Sequence, residues 1–165
     1  MASKADFTAE EWKLIMASPM LAGLAVTLAE PSGLWGLLQE SMASGRALLE
    51  AGKDPAGLSL VKDMVADIAT SEGRAAAREG FKDDLTGKTP AELKVQAITK
   101  LTQVGNLLDA KAGADAAPFK AWLKHVSESV AEASTEGGFL GFGGVKVTDA
   151  EKASIAEVAK ALNIA

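Results

Sequence analysis

The chain has no cysteine, no tyrosine and one histidine in 165 residues. Without cysteine there is neither a disulfide nor a thiolate metal site. With His125 as the single imidazole, a di-iron bundle centre, which takes two Glu-x-x-His pairs on facing helices, cannot be assembled. Zinc likewise lacks its usual nitrogen and sulfur ligands. No metal ligand and no cofactor is expected. Aromatics are scarce, five Phe and three Trp, which leaves little for a base-stacking surface. The net charge is −5, and Lys and Arg are interspersed with Asp and Glu instead of running together. The positive footprint that phosphate demands is missing, so nucleic acid is not an expected partner. No serine stands in a Gly-x-Ser-x-Gly elbow, and no Gly-rich loop leads into Lys-Ser or Lys-Thr. No apolar stretch follows the charge of residues 1–6, so no secretory signal is expected and the expected location is cytoplasmic.

What is present is core material. The apolar fraction is 48%, and a chain of this length can bury roughly 70% of its unfolded surface. One domain over 1–165 is expected, with 1–7 as an N-terminal tail. The fold class predicted is all-α, a bundle of five to seven helices, mostly antiparallel, because the connections are short and the helices long. Three helix starts carry the same device: Thr8 with Glu11, Thr89 with Glu92, and Thr148 with Glu151. Each spacing fits a capping box, in which threonine accepts from the third helical N–H and glutamate reaches back to the cap. Pro90 adds a fixed φ at a first helical position.

The first helix is predicted over 9–29, kinked at Pro19, and the second over 33–50. A third segment carries Leu58, Val61, Met64, Val65 and Ile68 on one stripe, bends or breaks around 71–73, and continues through Ala77, Phe81 and Leu85 to Gly87. A fourth helix has Leu93, Ala97, Ile98, Leu101, Val104 and Leu108 on one face. A fifth has Phe119, Trp122, Leu123, Val126 and Val130. The last is predicted over 149–162. Similar spacing around residues 48–73 and 107–137 hints at a duplicated helical hairpin.

From Leu14 to Gln39 only Glu30 is charged. A spanning helix needs roughly 20 continuous apolar residues. The run 14–29 falls short of that, contains Pro19 and is closed by Glu30 and Pro31. A buried central helix pair is therefore expected, not a membrane anchor. His125 lies beside the apolar stripe of the fifth helix. It is read as a histidine at the edge of the core with its ring nitrogens satisfied. A general base working with Glu128 or Glu132 in a hydrolase-like enzyme is the alternative. Asp83 and Asp84 read as a solvated acidic pair.

Residues 136–147 differ from the rest. Five glycines, at 137, 138, 141, 143 and 144, surround Phe139, Leu140 and Phe142. Folded inward, these side chains make a lid that holds the last helix down; turned outward, they make a patch for a partner. Successive glycine N–H groups also suit an anion. The lid is favoured, because burying each large apolar side chain gains ~1.5–3 kcal/mol. Phe139, Leu140 and Phe142, with Trp122 and His125, are the candidate ligand- or partner-binding residues.

The stretch from Gly137 to Lys152, with Glu11-Trp12-Lys13-Leu14 and Pro31 to Trp35, resembles the signature of an uncharacterised bacterial all-helical family. That resemblance implies no activity. Gly144 to Glu151, with Ile155, Val158, Ala159 and Leu162, is similar to the last helical hairpin of TerB-like tellurite-resistance domains. This second resemblance implies a metal or stress-response role, with Gly143 standing where those domains carry Asp. The function expected from the residues themselves is a non-catalytic interaction or small-ligand-binding module, with a homodimer or another protein as partner.

Overall fold

The computed structural model describes residues 1–29, 58–82, 88–136 and 147–164. These residues form six α-helices and no strand, so the chain is all-α as the periodicity predicts. The helices are α1 (Ala9–Thr27), α2 (Ser59–Ile68), α3 (Ser71–Lys82), α4 (Pro90–Lys111), α5 (Ala116–Glu136) and α6 (Asp149–Ala161). The second predicted helix, 33–50, the acidic pair Asp83 and Asp84, and the end of the third segment at Leu85 and Gly87 lie outside the described residues. No described helix is long and apolar enough to cross a membrane.

The capping boxes form where the sequence places them. The side chains of Thr8, Thr89 and Thr148 accept from the backbone N–H of Glu11, Glu92 and Glu151, and each glutamate accepts from its threonine's N–H. Two of the orphan donors at each start are thereby satisfied. The glutamate of the first box also joins two helices: Lys111 Nζ, at the end of α4, lies 2.6 Å from Glu11 Oε2.

α1 is the central rod. It packs against α3, α4, α5 and α6, and Ile15, Ala17, Ala22 and Ala25 are fully buried. An unbroken helix through Pro19 requires a remedy, because proline has no N–H for the carbonyl four residues back. That carbonyl belongs to Ile15, and the buried Ser18 hydroxyl donates to it at 2.7 Å. Ser18→Ala is expected to cost about 1–2 kcal/mol by leaving that carbonyl unsatisfied. With Pro19→Ala already present, a backbone N–H takes over and the Ser18→Ala cost is expected to fall below about 0.5 kcal/mol. Urea unfolding of the four variants gives the coupling, and equal Ser18→Ala costs in both backgrounds defeat this account.

The third predicted segment is two helices. The break falls at Ala69 and Thr70, just before residues 71–73. Thr70 Oγ1 donates to the Asp67 carbonyl at 2.7 Å and accepts from the Gly73 N–H at 2.9 Å. One threonine thus closes α2 and caps α3. Arg74 supports the turn by donating to the carbonyls of Ile68 and Ala69 at 3.0 and 2.9 Å.

At the far end of the fold α4 and α6 nearly touch. A Cβ at Gly105 would stand 2.9 Å from the Ala161 carbonyl oxygen, so only glycine permits this approach. α6 stops in a Schellman turn: Ile164 N–H donates to the Ala159 carbonyl and Asn163 N–H to the Lys160 carbonyl. Asn163 takes the left-handed conformation there, at φ 56°. Its amide donates to Asn106 Oδ1 and Asp109 Oδ2, both at 3.2 Å. Lys120, buried on α5, places Nζ 2.6 Å from Asp109 Oδ1. Lys120 foremost, and then Asn163, hold the Asp109 carboxyl below the usual aspartate range.

Residues 1–7, read from the sequence as a tail, pack onto the fold. They form a single 3-10 turn, Lys4–Asp6, and Ala2 and Phe7 are buried.

Candidate functional site

The seat of that N-terminal segment comes from α2. Ser59, Asp63 and Asp67 recur every fourth residue and therefore share one helix face. Ser59 Oγ donates to the Ala2 carbonyl at 2.6 Å. The Lys4 backbone N–H donates to Asp63 Oδ2 at 2.8 Å. Asp67 Oδ2 accepts from Lys4 Nζ at 2.6 Å and from Trp12 Nε1 at 2.7 Å. A fourth tie reaches the α4–α5 turn, where Asp115 Oδ2 accepts from the Ala2 N–H. The segment is thus sewn to elements more than fifty residues away.

Between this segment and the start of α1 on one side, and α2 and α3 on the other, lies an open cleft of about 830 Å³. Ala5, Ala9, Ala66 and Ala76 give its walls their apolar character, with Phe7 and Trp12 behind them. The two rings stand 6.1 Å apart, tilted by 37°. The charged groups at the cleft are Lys4, Lys13, Asp63, Asp67 and Glu72, with the Thr70 hydroxyl at the α2–α3 turn. Lys13 is held by Glu10 at 3.0 Å and Glu79 at 3.2 Å, and these two carboxylates raise its pKa. Burial pushes the Asp67 carboxyl up, but the Lys4 and Trp12 donors outweigh it and hold it below the usual aspartate range. Asp67 is therefore an anion at neutral pH, with an indole N–H and an ammonium both on Oδ2.

The candidate residues read from the sequence fall elsewhere. Phe139, Leu140 and Phe142 lie outside the described residues, so neither lid nor patch is assigned to them. Trp122 is half-buried on α5, its ring centroid 5.3 Å from that of Phe119 at 59°. Its indole N–H is buried without a hydrogen-bond partner among the described residues. His125 is not at the edge of the core: its side chain is 70% exposed, and Nδ1 stands 3.8 Å from Glu128 Oε2. Neither Trp122 nor His125 lines the cleft. Among the described residues no group of three or more His, Asp or Glu side chains is placed to hold a metal ion.

The cleft was missed because its polar contacts are non-local. The spacing of Ser59, Asp63 and Asp67 is a readable signal, a polar stripe beside the apolar one of Leu60, Val61 and Met64. Nothing in the sequence said that residues 2–4 would cover it. No protein family, curated protein or solved structure matches the chain.

Proposed function

We propose that this domain is a non-catalytic binding module whose cleft beside Trp12 takes a small ligand. The observation that carries the reading is the cleft itself. Small-molecule sites are concave and mostly apolar, hold a few fixed polar groups, and span roughly 300–1,000 Å³. The described cleft has that size, alanine-lined walls and a fixed carboxylate at Asp67. Its Lys4, Lys13 and Asp67 groups are tied to one another or to neighbouring side chains. Such ties suit orientation of a bound molecule better than attack upon it. The exposed His125 stands apart from this arrangement.

A fragment library screened by amide chemical-shift mapping tests the reading. Hits are expected to move the amides of residues 3–9 and 66–73 together. Ala66 is exposed on the cleft wall, so Ala66→Trp is expected to fill the cleft and abolish those shifts with the melting temperature preserved. Shifts confined to other surfaces, or undiminished in Ala66→Trp, overturn the proposal.

A further inference from the structure

Lys4 holds the position that a ligand's cation would hold. Its Nζ sits 2.6 Å from Asp67 Oδ2 and 6.0 Å from the centroid of the Trp12 ring. A carboxylate beside an indole is the chemistry that receives an ammonium group, by charge and by attraction to the ring. We propose that the cleft binds a small organic cation, an alkylammonium with an apolar tail, and that Lys4 is an internal competitor for its head-group site. This rests on the binding-module reading and names the ligand class for it.

Three observations support the exchange. The Lys4 side chain is 54% exposed, and an ion pair this open contributes little, so its head is free to leave. The Lys4 backbone is held separately. Its N–H is bound by Asp63, and Ala2 and Phe7 are buried on either side. The head can swing out without unseating the segment. Finally, once Lys4 has left, the charged groups on the cleft are Asp63, Asp67 and Glu72 against Lys13, and Lys13 is already engaged by Glu10 and Glu79. The vacated site is anionic, while Ala5, Ala66 and Ala76 leave apolar wall for a tail. Trp12 Nε1 keeps Asp67 in place throughout.

The test is titration of the full chain with n-pentylammonium chloride, read by the amide shifts of residues 3–9 and 66–73. Pentanoate, with the same tail length and the opposite charge, is the control. Wild type is expected to bind the amine and not the acid. Lys4→Gln removes the competitor and is expected to tighten amine binding roughly twofold to fivefold, the span of an exposed ion pair. Asp67→Asn keeps an acceptor for Trp12 but not the charge, and is expected to lose amine binding. Circular dichroism of each variant establishes that it is folded. An unchanged or weaker affinity in Lys4→Gln, or equal binding of amine and acid, overturns the proposal. If neutral fragments occupy the cleft and pentylammonium does not, the cation reading fails and the binding-module reading stands. If nothing enters the cleft, both fail.

Discussion

Replacing Phe119 by alanine is expected to remove about 3–5 kcal/mol of folding stability. Phe119 is the bulkiest of the fully buried side chains on α5, where Leu123, Val126 and Val130 continue the same stripe at 0% exposure. The cost has two parts: the transfer of the ring into water and the cavity left behind, which a core of helices closes only partly. Trp122 adds a third, since it loses the ring it packs against at 5.3 Å. Domains are stable by roughly 5–15 kcal/mol, so this one change removes a large share of the total. Val95, 66% exposed on α4, provides the contrast. Val95→Ala is expected to stay within about 0.5 kcal/mol of wild type. Chemical denaturation of the two variants decides the matter, and a Phe119→Ala loss under about 1.5 kcal/mol contradicts this picture of the core.

The second large effect is expected at Gly73. A Cβ there would stand 2.0 Å from the Asp67 carbonyl oxygen and 2.4 Å from its carbon. The obstacle is backbone, so no rotamer change relieves it. The same oxygen accepts from the Thr70 N–H and hydroxyl at 2.8 and 2.7 Å, so moving it disturbs the turn that joins α2 to α3. Gly73→Ala is expected to cost about 3 kcal/mol, at the upper end of overpacking effects. Gly113→Ala separates crowding from conformation. Gly113 has φ +52°, and among the described residues nothing lies within 4 Å of an added Cβ, so the left-handed strain remains, about 1–2 kcal/mol. Equal losses in the two variants, measured by thermal unfolding, refute the crowding argument. Gly73 also lines the cleft, so the change that breaks the α2–α3 turn is expected to alter ligand access as well.

What the sequence announced was local. Thr8, Thr89 and Thr148 each find their partner three residues ahead, and a contact that short is written in the spacing itself. The burial of α1 was equally readable, because a helix apolar on all sides has to be surrounded. Ser18 beside Pro19 is equally local, but the expectation there is a kink and does not include the adjacent hydroxyl that repairs the helix. The cleft was not readable. It depends on pairing residues 2–4 with α2 and with Asp115, at separations of 57 to 113 residues, and segment 1–7 has no period to reveal that it packs. His125 shows the limit in another way. It adjoins the buried Val126 in sequence, yet one step along a helix turns the side chain far enough to change core edge into solvent.

The central position of α1 also has a consequence in time. The ribosome makes α1 before α3, α4, α5 and α6, which together cover it. At roughly 5–20 residues per second, on the order of ten seconds pass between the completion of α1 and that of α6. Through that interval the nascent chain carries an apolar rod whose covering is still incomplete. The helix that organises the finished domain is the part of the newborn polypeptide most in need of shelter.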